Sequence, residues 1–472
     1  MSHDSGTFRI AVVGGGISGL AAAHRLCELG GGEGVALFEA TGRVGGVLHS
    51  ERRDNCLIEH AADMFTTKEP WAVNLYERLG LLDTLIETNR DNRRAFIVHQ
   101  GKLVAVPAGF TLMTPSRLMP MLKTPLLTWR GKGRAALECL VPRQPGTEDE
   151  SLQSFATRRL GRETYERLVQ PLIGGIYTAD PTRLSMQATM SQFVELEREY
   201  GSLIRAALRG ATSKQSGSGA RYGMFLAPRE GIQELPRVLA SRLPAGAVRL
   251  DASVTSLLRT ETGWRLEVDD KEEHFDAVIV ATPAHVAARL LRQTSNALAD
   301  DLAGIPYASV AIAVMVLSRA DVRHPLDGFG YVTPQVENRK VLAASFSSLK
   351  FPGRAAEDQV IVRAFVGGAL QARLLDRSDS EILALVQEDL EQLIGFHGQP
   401  VHSEVIRWPR SMPQYHVGHL DLVERIEAQV AAIPHLALAG NAYRGVGIPF
   451  CIHSGEQAAE GILERLSESR SK

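Results

Sequence analysis

Phe8-Arg9-Ile10-Ala11-Val12-Val13-Gly14-Gly15-Gly16-Ile17-Ser18-Gly19 opens the chain's ordered pattern, and Glu39 closes the next apolar run, Val35-Ala36-Leu37-Phe38. Ile10 to Val13 reads as a buried strand. Gly14 allows a tight turn, Gly16 lets the backbone approach a pyrophosphate, and Gly19 lets the following helix pack closely on the strand. That helix is expected from Ile17 to about Leu29, its first amide N–H groups pointing at phosphates. Glu39 stands about 20 residues beyond Gly19, where an acid accepts a hydrogen bond from an adenosine ribose. A glycine-rich turn alone is weak evidence. Strand, helix, second strand and acid in register together read as a dinucleotide-binding unit.

Gly42-Arg43-Val44-Gly45-Gly46 follows directly. A second glycine turn suits a bulkier dinucleotide, because the chain must pass over its pyrophosphate and flavin without side chains in the way. Arg43 adds a fixed cation near the phosphates. The pattern resembles the FAD oxidases of the amine oxidase superfamily. The far end of the chain agrees. Leu436 to Gly440 reads as a short buried strand, Gly445-Val446-Gly447-Ile448-Pro449 as a turn of low bulk, and Cys451 to Leu466 as a helix. The N-terminus of such a helix would favour an anionic reduced flavin.

Bulk properties exclude several classes. A chain of 472 residues should form more than one domain around a large core. A net charge of −2 gives no reason to expect nucleic acid. Cys27, Cys56, Cys139 and Cys451 have no metal-ligand spacing and fit reduced thiols in a cytoplasmic protein. No signal peptide and no run long enough to span a membrane is expected.

The expected fold class is α/β: a discontinuous Rossmann-like FAD-binding domain, a mixed-sheet substrate domain and a helical subdomain. The FAD-binding parts are expected at 7–70, 223–300 and 426–472, the helical part at 71–222, and the substrate sheet at 301–425. Arg249 to Val254 and Asp276 to Pro283 read as strands of the FAD part. Val310 to Leu317, Val341 to Ser345 and Val360 to Val366 read as strands of the substrate sheet. Ala211 to Ala220 reads as a loop. No second GxGxxG serves a pyridine nucleotide, since Val278 to Ala281 leads into Thr282-Pro283-Ala284. The electrons therefore leave to oxygen or a quinone-like acceptor.

Four further segments carry a resemblance over nearly the whole chain: Ser154 to Gly161, Pro171 to Asp180, Gly328 to Val332, and Ala442 to Pro449. Together they resemble the protoporphyrinogen oxidase family, with Pro171 to Asp180 as its pocket loop. The resemblance implies FAD-dependent oxidation of a porphyrinogen to a porphyrin in haem synthesis, as three hydride transfers to flavin. It implies cofactor contacts at Gly14, Gly15, Gly16, Ile17, Ser18, Gly19, Glu39, Arg43, Gly45, Gly46, Val254, Asn441, Val446, Gly447 and Ile448. It implies a ring pocket at Gly175, Phe329, Val332 and Phe365, with Arg93 or Arg94 pairing a propionate. The alternatives are a solvated basic pair for the arginines and sheet core for the phenylalanines.

Some positions depart from the family pattern. Ala61 and Ala62 stand where Gly-Pro is usual, and Phe450 and Arg444 stand in place of acids. Protoporphyrinogen IX is the preferred substrate, because Ala344 to Pro352 looks like that branch; coproporphyrinogen III is the alternative. Ala105 to Trp129, with Arg117, Lys123 and Arg130 near it, reads as a helical lid over the pocket, with peripheral membrane contact as the other option. The rival functions are a flavin amine oxidase and a non-catalytic flavin- or porphyrin-binding paralogue.

Overall fold

A computed structural model describes residues 8–91, 93–115, 117–144, 146, 148–210 and 224–470. The expected loop from Ala211 to Ala220 lies outside the described residues. Strand β1 (Ile10–Val13) leads into helix α1 (Ile17–Glu28), which returns to strand β2 (Val35–Phe38). Every residue of both strands is buried, as befits a parallel sheet covered on both faces. β1 lies between β2 and Ala277–Val280, all parallel. Val248–Arg249 and Leu436–Leu438 complete the five strands at the two edges. The sheet is therefore assembled from three separated stretches of chain. α1 packs on one face together with the C-terminal helix, Ile448–Arg470, around Leu20, Ile452 and Ile462.

A seven-stranded mixed sheet forms the second layer system. Its long strands are Tyr307–Ser318, Gln359–Gly367 and His402–Pro413. One face packs against the helix Asp379–Ile394 through Ala313, Tyr331, Val362 and Leu390. The other face points back toward the nucleotide sheet. The hairpin of β3 (Ser50–Arg53) and β4 (Cys56–Glu59) joins the two bodies. Cys56 and Ile58 pack with Ile312, Val314 and Ile361 of that face.

Three expectations need correction. Arg249 to Val254 is not one strand. Val248–Arg249 ends it, Asp251 adopts φ of 51°, and a new strand starts at Val254. The expected helical stretch also donates a hairpin, Phe96–His99 and Lys102–Ala105, to the edge of the seven-stranded sheet. Its Phe96-Ile97-Val98 run alternates between two apolar layers, so propensity for strand was present and was overlooked. Finally, Pro171 to Asp180 is mostly helix, Gln170–Tyr177, entered through a π-helical turn at Tyr165–Val169. Such turns recur near functional sites.

Candidate functional site

The two glycine turns lie against each other. The Gly45 N–H donates to the Gly15 carbonyl at 2.8 Å, and Gly16 and Gly45 form an isolated parallel bridge. Each glycine has its own reason. Gly14 has φ of +111°, and a Cβ on Gly19 would stand 1.9 Å from the Gly14 carbonyl oxygen. A Cβ on Gly16 would meet nothing within 4 Å. Gly16 therefore faces open space at the α1 N-terminus, beside Ile17 and Ser18. Gly46, with φ of +59°, is closed by Arg43, whose guanidinium donates to the Gly46 carbonyl at 2.8 Å.

The Glu39 carboxylate reaches back over this loop. It accepts from the Gly15 N–H at 2.8 Å, and from the Thr41 N–H and hydroxyl at 3.0 and 2.7 Å. A carboxylate accepts about four hydrogen bonds, so capacity for one ribose hydroxyl remains. The Ala252 N–H donates to the Glu39 carbonyl at 2.9 Å, which brings Val254 to the same end of the sheet. The C-terminal helix begins at Ile448 next to α1; a Cβ on Gly455 would stand 2.1 Å from the Ser18 carbonyl oxygen. The turn Asn441–Gly447 leads into it. An open glycine cradle, two neighbouring helix N-termini and an acid at the second strand fit a dinucleotide. Burial pushes the Cys451 thiol beside this turn up to about 12, so it is an inert packing group.

Beyond the hairpin lies a buried ionic cluster that sequence reasoning missed. Asp63 takes Lys350 Nζ at 2.8 Å and Arg363 Nη1 at 3.2 Å, and Arg363 also donates to the Ala61 carbonyl. Glu59 pairs with Arg354 at 3.0 Å and accepts from Ser50 and Ile232. Burial opposes the Asp63 charge, but Lys350 and Arg363 outweigh it and hold its carboxyl below the usual range. Burial of Glu59 instead pushes its carboxyl up despite Arg354. Two carboxylates a few residues apart are thus tuned in opposite directions. Arg363 fastens the Ala61–Ala62 loop to the substrate sheet. A charge inside the apolar run Gln359–Gly367 was the signal available in the sequence.

On the inward face of that sheet, Val332, Ala343, Phe365, Ile312 and Ile406 form one cross-strand row. Gly175 lies over it, since a Cβ there would stand 3.3 Å from Val332 Cγ1. Val332, Phe365 and Gly175 are therefore brought together. Phe329 is only 4% exposed, and its N–H donates to the Arg94 carbonyl at 2.8 Å. Arg93 and Arg94 both line a cavity of about 780 Å³, whose walls include Val106, Phe110, Pro125 and Leu172. Arg90 and Lys123 are two further cations there and Asp91 is an acid, while Gly175, Phe329, Val332 and Phe365 stand outside its lining. Arg93 is tied to Glu87 and the Thr88 carbonyl, yet its buried Nε has no partner among the described residues. Arg94 pairs with Asp327 at 2.9 Å and is half exposed.

The sequence profile of the flavin containing amine oxidoreductase family matches residues 17–463. The chain belongs to that family, and its cofactor is FAD. Among curated proteins it is similar to the coproporphyrinogen III oxidase of Staphylococcus aureus (strain NCTC 8325 / PS 47), 31% identical, covering 98% of this chain and 100% of the relative. It is also similar to protoporphyrinogen oxidase 2, chloroplastic/mitochondrial, of Arabidopsis thaliana, 29% identical, covering 97% and 94%. A solved structure from Exiguobacterium sp. 255-15, assigned provisionally as a protoporphyrinogen oxidase, superimposes with a TM-score of 0.86 at 30% identity, covering 97% of this chain and 99% of that one.

Proposed function

We propose that this protein oxidises a porphyrinogen to the corresponding porphyrin, with coproporphyrinogen III as substrate. The observation that carries the reading is the cavity of about 780 Å³, with Val106, Phe110, Pro125 and Leu172 in its walls and Arg90, Arg93, Arg94 and Lys123 set against the one acid Asp91. A macrocycle needs broad apolar walls, and its carboxylates need cations at the edge. Bound FAD supplies a two-electron hydride acceptor, used three times per porphyrin and emptied by oxygen or a quinone-like acceptor. Gly14, Gly15 and Gly16 with Gly45 and Gly46 give the pyrophosphate a path free of side chains, and Ile17, Ser18 and Gly19 hold the α1 amides toward it. Glu39 takes the ribose, and Val254 flanks it. Arg43 fixes the second turn. Asn441, Val446, Gly447 and Ile448 form the opposite wall. Gly175, Val332 and Phe365, outside the lining of that cavity, offer a second flat apolar surface, and the Phe329 N–H supports the backbone of Arg94.

The sequence preference for protoporphyrinogen IX rested on Ala344 to Pro352. In the folded chain Ala344, Phe346 and Phe351 are core residues and Lys350 is engaged by Asp63. Those side chains carry packing and a buried ion pair, so they lend the protoporphyrinogen reading no support. The bacterial relative of highest identity named above is a coproporphyrinogen III oxidase. A lining with four cations and one acid also suits the more carboxylate-rich porphyrinogen. The test is kcat/KM for both porphyrinogens side by side. The coproporphyrinogen reading expects the tetracarboxylate to be favoured; a preference for protoporphyrinogen would reverse it. Replacing Arg93 and Arg94 by alanine should raise KM, most at low salt, where charge pairing is least screened. An equal loss with a porphyrinogen ester would remove the propionate role.

The segment before Trp129 is not the expected run of helix: Phe110–Thr111 and Thr114–Pro115 are strands and, among the described residues, only Leu118–Lys123 is helical, the segment's prolines breaking the rest. It forms a wall of the cavity, which supports a reading as a lid of mixed structure. Exposed Met119, Leu122 and Trp129 beside Lys123 and Arg130 support peripheral contact with an anionic bilayer as a second one. Among the described residues no helix is long and apolar enough to cross a membrane. Co-sedimentation with anionic vesicles separates the two readings.

A further inference from the structure

The turn Asn441–Gly447 buries Ala442 and Tyr443 in the core, and Arg444 pairs with Glu427 on its outer side. Its backbone is held by Tyr415, which is 2% exposed and lies just beyond the long strand His402–Pro413. Its hydroxyl donates to the Asn441 carbonyl at 2.5 Å and accepts from the Gly445 N–H at 2.9 Å. One oxygen thus ties both ends of a five-residue loop. The imidazole of His419 stacks on the Tyr415 ring, with centroids 3.9 Å apart and planes at 12°. Its Nε2 lies 2.8 Å from the Tyr443 carbonyl. A carbonyl only accepts, so Nε2 carries the hydrogen and donates. Three alternate backbone positions of the loop, Asn441, Tyr443 and Gly445, are therefore held by two stacked rings.

Tyr415 and its neighbour Gln414 also reach the substrate side. The Tyr415 carbonyl accepts from the Ser185 N–H at 2.8 Å, and Gln414 Nε2 donates to the Tyr177 carbonyl at 3.3 Å. Tyr177 ends the helix that carries Gly175. Gln414 and Tyr415 are thus a joint between the helix over the ring pocket and the turn facing the flavin.

We infer that Tyr415 and His419 are positioning residues for the flavin, fixing the Asn441–Ile448 wall against it. This rests on the FAD assignment and on that wall, and is independent of which porphyrinogen is oxidised. Buried hydrogen bonds left unmade are costly, whereas the ring stack itself survives loss of the hydroxyl. Tyr415→Phe should therefore weaken FAD binding roughly ten- to a hundred-fold, on the scale of two lost hydrogen bonds. It should also displace the visible flavin band and the midpoint potential.

The experiment is reconstitution of apoprotein with FAD, read by flavin fluorescence, spectrum and potential, beside thermal stability. Tyr331→Phe is the control. It removes an equally buried hydroxyl, bonded to Asp389 at 2.6 Å on the far face of the substrate sheet. It should lower stability and leave the FAD dissociation constant and band unchanged. His419→Gln keeps an amide donor and should retain near-parental binding; His419→Leu should not. This second pair decides the matter even where Tyr415→Phe fails to fold. Parental FAD affinity and spectrum in folded Tyr415→Phe and His419→Leu would overturn the inference. So would equal flavin changes in Tyr331→Phe.

Discussion

Gly16 and Gly19 differ in what a methyl group would meet, and the difference separates binding from folding. At Gly19 a Cβ would stand 1.9 Å from the Gly14 carbonyl oxygen, and backbone cannot yield that much. At Gly16 it would meet no protein atom within 4 Å. Gly16→Ala should therefore leave the apoprotein's thermal midpoint unchanged and abolish or strongly weaken FAD retention. Gly19→Ala should destabilise the apoprotein itself. Loss of apoprotein stability in Gly16→Ala would mean that the open space is not the cofactor's. Glu39→Ala tests the neighbouring group. A charge-assisted hydrogen bond is worth about 1.5–3 kcal/mol, or roughly ten- to a hundred-fold in affinity. Titration with FAD should show that loss in a folded protein, and unchanged affinity would remove Glu39 as the ribose ligand. These residues were legible because the fingerprint is local: turn, helix start and acid are fixed by spacing alone.

At the scale of elements, the hairpin and the two sheets are held together by a buried ionic cluster. Removing Asp63 leaves Lys350 and Arg363 buried without their carboxylate. Uncompensated buried charge costs about 3–5 kcal/mol. Asp63→Ala should lose stability on that scale in denaturant unfolding of the holoprotein, and a change below about 0.5 kcal/mol would show the cluster to be slack. The strands of the nucleotide sheet and the long strands of the substrate sheet were readable from continuous apolar runs. The partners within the cluster were not. Asp63 and Lys350 are 287 positions apart, and Tyr415 and Asn441 meet only because a strand ends beside a turn. Pairings of that kind depend on tertiary register, to which local periodicity is blind. At Ala344 to Pro352, the substrate preference drawn from family likeness meets side chains that pack: Ala344, Phe346 and Phe351 are buried and Lys350 pairs with Asp63.

Across the whole molecule, burial is the dominant influence on the histidines. His24, His49, His60, His285, His324, His416, His419 and His453 all have pKa values lowered first by desolvation. Between the folded values and the unfolded value of about 6.5, the unfolded chain binds more protons, so stability rises with pH there. The thermal midpoint should be steady from about pH 7 upward and fall as pH drops below about 6.5. A midpoint that rises on acidification through this range would contradict the burial pattern. The net charge of −2 adds no strong long-range field of its own.

The glycine turns, the fastened Ala61–Ala62 loop and the cation-rimmed cavity support one proposal, electron transfer from a porphyrinogen to the flavin. Anaerobic stopped-flow mixing of the FAD-loaded protein with coproporphyrinogen III tests it most directly. The account predicts bleaching of the visible flavin band together with the rise of porphyrin absorbance. A flavin band that stays intact with both coproporphyrinogen and protoporphyrinogen, while an amine bleaches it, would contradict the account.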